Sequence, residues 1–355
     1  MLFRYTNEKG ESIEIVPESF TPLPYAELVS ECSKEKLYPI EIIASSIKLP
    51  NRDEAVRHKT VSCPISFRQP VTVFGLVEGG WLPAPFVIPP RYLVDRNVIS
   101  SLVRMRQDAT RPDTAPTRWW FKFFDDDSLV FNPVLHAIEG SSQRVPSFDE
   151  FCRAFEEGSA EIKNHFPNST LIQYEAIHYR RVYSIITDVQ ARQHREIEFL
   201  VKTANKVVDR VVDSRLIATE SEILRTATDL DLKVTSVVVI AVLSCLYENP
   251  DGSGYKAARQ IIKPRRQYTP QNAYNALSDL RALEFFIHTL RMGPERFALC
   301  TCDKGLAAFW CGLNLHRAAW NSDGTFTFSV SLTEHLFPRL NGARREALAQ
   351  RVAAS

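Results

Sequence analysis

Two short apolar runs in this chain each end in an aspartate and lead straight into a helix-like segment. Tyr92-Leu93-Val94 runs into Asp95-Arg96-Asn97-Val98-Ile99, and Phe297-Ala298-Leu299-Cys300-Thr301-Cys302 runs into Asp303. Strands that read as continuous apolar runs are covered on both faces, which is the condition of a parallel sheet sandwiched between helices. In such sheets ligands bind in the crevice beyond the carboxyl ends of the strands. Both aspartates are therefore placed where a binding crevice is expected. From Pro89-Pro90 onward the pattern is apolar strand, turn, helix, so the expected class is α/β, a three-layer α/β/α arrangement around a mostly parallel sheet.

Two helical acids join them. Asp279 shares one helix face with Leu283, Phe286 and Leu290, at spacings of four, seven and eleven, on a helix expected from Ala273 to Leu290. Thr269-Pro270 introduces that helix and Gly293-Pro294 ends it. Glu139 stands four residues beyond Leu135, on the inward side of a helix that starts near Pro133, with Asn132 as its cap and Gly140 as its stop. A carboxylate on an apolar face is costly unless it is paired or bound to a cation. Four of them meeting at one crevice would repel one another, raise their pKa values, and gain from a divalent ion. Oxygen-only donors suit Mg²⁺ or Mn²⁺ rather than zinc. One or two such ions can activate a water and stabilise the leaving oxygen in phosphodiester cleavage.

These motifs resemble those of PIN domains. Leu93-Val94-Asp95-Arg96-Asn97-Val98-Ile99 is similar to their first motif, an apolar strand followed by Asp-x-Asn. Cys300-Thr301-Cys302-Asp303-Lys304-Gly305-Leu306 is similar to their last, strand-Thr-x-Asp before a short helix. Glu139 and Asp279 match the second and third acidic positions. The resemblance covers about residues 91–315 and implies a Rossmann-like PIN-type sheet and a metal-dependent ribonuclease. It implies that Asp95, Glu139, Asp279 and Asp303 coordinate Mg²⁺ or Mn²⁺, that Asn97 buttresses Asp95, and that Thr301 orients the site. Such nucleases often act as toxins or in defence against foreign genetic elements. The long interval between Glu139 and Asp279 departs from a compact PIN domain and implies a helical insertion at about 145–250; Asp229, Asp231 and Glu248 are fallback candidates for the third acid. The alternative is a catalytically inactive PIN-like module that binds RNA or a protein, and a third reading is a structural subunit whose helical insertion is the working surface.

The expected division is a β-rich region at 1–90, the nuclease-like domain at 91–320, and a C-terminal strand and tail helix at 321–355. The first region is rich in proline, with Ser12-Ile13-Glu14-Ile15-Val16 and Val71–Val77 as strands, Gly79-Gly80 as a hairpin turn and Tyr25–Glu35 as a short helix. Lys263, Arg265, Arg266 and Tyr268 form the best candidate phosphate-contacting patch, with Arg180-Arg181 as a second; the plain reading of each is an exposed surface. Asp95 has a competing reading as a helix cap, Glu139 as a solvated acid and Asp303 as a turn residue. Asp125-Asp126-Asp127 reads as a solvated turn, and Trp119-Trp120-Phe121 with Phe123-Phe124 as core or interface.

With 43 basic and 42 acidic residues, the net charge of +1 argues against a dedicated non-specific DNA binder, while leaving room for a local basic rim. The seven cysteines have no Cys-x-x-Cys spacing, and Cys300 and Cys302 read as small buried residues on one strand face. The eight histidines show no paired metal spacing. Val234–Tyr247 is broken by Thr235, Ser236 and Ser244 and is shorter than the roughly 20 residues a membrane span needs, so it is expected to be a buried helix. Polar residues from Asn7 onward interrupt any secretory pattern, and unpaired thiols accompany them, so a cytoplasmic protein is expected. The expected partners are RNA and either a regulatory protein or a second copy of the chain, and no membrane.

Overall fold

The computed structural model describes residues 3–6, 12–30, 36–49, 55–108, 114–139, 144–249, 251, 253–290, 296–320, 326–330 and 332–353. Gly140, Gly293 and Pro294, expected as helix stops, and residues 31–35 of the expected first helix lie outside these residues.

Strands β1 (Phe3–Thr6), β2 (Ser12–Phe20), β3 (Leu37–Lys48) and β4 (Val56–Ser66) form an antiparallel sheet in that order. Alternation explains its single core face: Tyr38, Ile40, Ile42 and Ala44 of β3 are buried, while Leu37, Glu41 and Ile43 between them are exposed. Helix α1 (Tyr25–Val29) lies between β2 and β3 in the chain.

The hairpin β5 (Phe74–Val77) and β6 (Gly80–Pro83) turns at Gly79, whose φ of +87° favours glycine. A side chain at Gly80 would collide with the Leu23 carbonyl at 2.4 Å. The chain continues through β7 (Arg91–Val94), α2 (Arg96–Gln107), α3 (Ala115–Phe121), β8 (Val130–Asn132), α4 (Val134–Glu139), α5 (Phe148–His165) and β9 (Thr170–Leu171). Then follow α6 (Ala176–Thr203), α7 (Asp213–Asp229), α8 (Val237–Leu246), α9 (Ala257–Ile262), α10 (Pro270–Thr289), β10 (Ala298–Thr301) and α11 (Lys304–Leu313). A separate ribbon, β11 (Leu315–Trp320) with β12 (Phe326–Val330), precedes α12 (Gly342–Ala353).

The central sheet is six-stranded, in the order β6-β5-β10-β7-β8-β9, with helices around it. Strands β10, β7, β8 and β9 are parallel, and β5 and β6 run antiparallel at one side. Chain order reverses between β7 and β10: β7 leads away toward β8, while the much later β10 enters on its other flank. This is the topological switch point where open α/β sheets bind ligands.

Three expectations are corrected by this topology. The boundary at residue 90 fails, because β5 and β6 belong to the central sheet through the pairing of β5 with β10. The block 145–250 is not one helical insertion, since α5 connects β8 to the sheet strand β9, so the added helices begin with α6. Finally, the apolar face expected on the Ala273–Leu290 helix, α10, is not its single buried face. The helix is enclosed by α4, α6, α8, α9 and β10, and Ala276, Leu277, Leu280, Leu283 and Phe286 on several of its faces are buried. Its start follows the expected chemistry, with Thr269 and Asn272 in a capping box and Pro270 in the first turn. Every residue of α8 is buried, as the Val234–Tyr247 run leads one to expect. No helix among the described residues is long and apolar enough to cross a membrane.

Candidate active site

The register of β7 and β10 sets the first two acids. Ala298 pairs with Tyr92, Leu299 with Leu93 and Cys300 with Val94, and the Asp95 amide then donates to the Cys300 carbonyl at 3.0 Å. Asp95 occupies the N-cap position of α2, yet its side chain makes no capping hydrogen bond. Its Oδ2 accepts from the Thr301 hydroxyl at 2.7 Å and from the Asn97 amide at 3.1 Å. The same Thr301 hydroxyl accepts from the Asp303 backbone N–H at 3.0 Å, so one buried threonine ties the two strand ends together. Asp303 does cap: its Oδ1 accepts from the Leu306 N–H at 3.0 Å at the start of α11. Gly305 lets this first turn approach α9, for a Cβ there would lie 2.7 Å from Gln260.

The helical acids face the same crevice. Asn132 caps α4 by accepting from Val134 N–H at 3.1 Å, which points the end of α4, with Glu139, toward α2 and α10. Arg96 donates from Nη1 to Glu139 Oε1 at 3.0 Å. Tyr274 of α10 donates to the Glu139 carbonyl at 3.0 Å, joining the two helices. Asp279 is one turn further along α10.

Burial and neighbouring acids raise three of the four carboxyls, those of Asp95, Glu139 and Asp279. Burial first, then Asp95, Asp303 and Glu139, hold the Asp279 carboxyl well above the usual carboxylate range, against the pull of Lys263. Burial pushes Asp95 up, the Thr301 and Asn97 hydrogen bonds oppose it, and Asp303 adds to the rise. Glu139 is pushed up to about 7, by burial first, with Arg96 pulling it down and Asp95 pushing it up.

Among the described residues, no three histidine, cysteine, aspartate or glutamate side chains stand close enough together to hold a metal ion as placed. Protein donors engage three of the carboxylates: Asn97 and Thr301 on Asp95, Leu306 on Asp303, Arg96 on Glu139. The donor set nevertheless fits a hard divalent cation on charge and chemistry, because it offers only carboxylate oxygens under mutual repulsion. Mg²⁺ commonly takes one or two protein carboxylates and completes its sphere with water, so it does not require three converging side chains.

The expected basic rim is reduced. Lys263 is exposed, ends α9 in a left-handed conformation, and is near enough to Asp279 to lower its pKa. Arg265 and Arg266 are exposed, and Arg266 stands 3.5 Å from Asp209. Tyr268 does not belong with them: it is buried, and its hydroxyl donates to the Ile262 carbonyl at 2.8 Å, fixing the loop into α10. Asp229 is exposed, Asp231 pairs with Arg195, and Glu248 pairs with Arg259 at 2.7 Å, so none of the fallback acids reaches the crevice. Asp125 accepts from the Asn168 backbone and side chain, and Asp126 from Ser128, in an exposed turn. Trp120 is core, its indole donating to the Pro70 carbonyl at 2.7 Å.

Sequence reasoning passes over two features. Arg96, the unspecified residue between Asp95 and Asn97, turns out to reach Glu139. A buried ion cluster of Arg192 and Glu196 on α6 with Arg281 and Glu284 on α10 reads in sequence as ordinary helix-surface charge. The only sequence signal for it is the four-residue spacing of Arg192 and Glu196.

Comparison of the chain with protein-family models, with curated proteins and with solved structures returned no match.

Proposed function

We propose that this chain is a metal-dependent endoribonuclease with a PIN-like catalytic core, acting on RNA through Mg²⁺ or Mn²⁺ held at Asp95, Glu139, Asp279 and Asp303. The observation that carries this reading is the meeting of Asp95 and Asp303 at the switch point, where the Thr301 hydroxyl donates to Asp95 and accepts from the Asp303 backbone, with Glu139 lining the same cleft as Asp95. A bound ion would supply an activated water and stabilise the leaving oxygen. The chain's own residues do the rest. Thr301 and Asn97 fix the Asp95 carboxylate, the α11 N-terminus fixes Asp303, and the buried α10 holds Asp279 rigidly. Lys263 gives the phosphate backbone a basic contact beside Asp279. A role as toxin or defence nuclease follows only from the likeness to PIN domains.

A second reading, an inactive PIN-like module that binds RNA or a protein, is favoured by the lack, among the described residues, of three acid side chains within ion-holding range. Incubating the purified chain with single-stranded RNA and Mg²⁺ or Mn²⁺ separates the two. The nuclease reading expects cleavage that EDTA abolishes and that Asp95→Asn and Asp303→Asn each lower by roughly a thousandfold. Activity unchanged in both variants removes these acids from the chemistry, and RNA binding without cleavage establishes the second reading.

A further inference from the structure

We propose that Arg96 is a resident counter-cation, which holds Glu139 until a divalent ion takes its carboxylate and then turns to a substrate phosphate. The proposal rests on the metal-dependent reading above. Its physical basis is the ion pair between Arg96 Nη1 and Glu139 Oε1 at 3.0 Å, between side chains that are 36% and 24% exposed. Arg96 is the first residue of α2, directly beside Asp95, and its guanidinium spans from there to the end of α4. It therefore stands between two of the four acids and engages one of them.

Four carboxylates need positive charge when no ion is present, and Arg96 provides it through a hydrogen-bonded pair. The same pair occupies Glu139 Oε1, an oxygen that an ion bound at Glu139 would compete for. An arginine half exposed at a crevice mouth can move without losing a buried site. Once released, its planar fork matches two phosphate oxygens, a geometry that lysine does not supply. Lys263, which acts on Asp279 rather than on Glu139, serves as a control.

The test is a double-mutant cycle read by Mn²⁺ binding, measured by calorimetry on the full chain without RNA. If Arg96 competes with the ion for Glu139, Arg96→Gln tightens Mn²⁺ binding by about tenfold. The effect disappears when Arg96→Gln is made in a Glu139→Gln background, because the contested carboxylate is gone. Lys263→Gln, which removes the same charge, changes affinity equally in both backgrounds. On the Mn²⁺-loaded protein, inorganic phosphate binds more weakly to Arg96→Gln than to the parent. Unchanged or weaker Mn²⁺ binding in Arg96→Gln overturns the proposal, as does a tightening that survives in the Glu139→Gln background. A parent chain that binds no Mn²⁺ overturns the metal-dependent reading itself, an outcome distinct from Mn²⁺ binding that is insensitive to Arg96.

Discussion

Helix α10 carries two groups of buried charge on different faces, and they are built on opposite plans. Toward α6, Arg281 and Glu284 meet Arg192 and Glu196, two cations with two anions, with Arg192 paired to both glutamates. Toward the sheet, Asp279 meets Asp95, Glu139 and Asp303, with only Arg96 and Lys263 acting against them. The first group is charge-balanced and joins two helices, and its Arg281 lines the same cleft as Asp95 and Glu139. The second has an excess of negative charge at the one place where the topology opens a crevice. A balanced buried cluster is sufficiently explained by helix pairing. An unbalanced one raises the energy of the fold, and under the metal-dependent proposal a cation offsets that cost.

Three experiments bear on that contrast. The largest effect is expected for Arg281→Met, which leaves Glu196 and Glu284 buried with a single cation. Urea unfolding at pH 7 should show a loss of about 3–5 kcal/mol. A loss below about 1 kcal/mol would mean that the balanced cluster is not the structural tie it resembles.

The acidic cluster should respond with the opposite sign. Glu139 has a folded pKa of about 7 against an ordinary 4.5, so the stability it contributes is full below pH 4.5 and is lost as pH rises through 7. In EDTA, Glu139→Gln should remove about 2–3 kcal/mol of that decline between pH 4.5 and pH 8. Glu196 is also pushed up to about 7, mainly by burial and by Glu284, and Asp279 stands well above its usual range, so the parent's remaining decline in this window is shared between the two groups. A pH profile identical in parent and variant would place Glu139 in ordinary solvent contact.

The smallest effect concerns the link between the strand ends. Thr301→Val keeps the shape but leaves Asp95 and the Asp303 N–H without their shared hydroxyl. Chemical denaturation should show a loss of about 1–2 kcal/mol, and the Asp95 carboxyl, followed by NMR titration, should rise further. A neutral substitution would show that the two strand ends are held together by the sheet register alone.

What could be read from the sequence was what is local. Tyr92-Leu93-Val94-Asp95 and Leu299–Asp303 announce buried strands with acids at their ends, and Asn132 and Thr269 mark helix starts by short-range capping chemistry. The pairing of β5 with β10 was not legible, since nothing in Phe74–Val77 names a partner so distant in the chain. Strand β9 is two residues long, too short for any periodicity to register. Tyr268 misled because a tyrosine among Lys263, Arg265 and Arg266 resembles a nucleic-acid contact, whereas its hydroxyl closes a loop. Glu196 and Arg281 misled in the reverse direction, as charges usually mark solvent and here are buried against each other.

The register Thr301 to Phe74 also imposes an order on synthesis. The β5–β6 hairpin and β7 emerge from the ribosome well before β10, the strand that belongs between them. Until β10 arrives, two strand edges face each other across a gap, each able to pair with a foreign strand. The insertion that closes this gap is also the step that brings Asp303 to Asp95, so a nascent chain has no assembled acidic centre until β10 has been made.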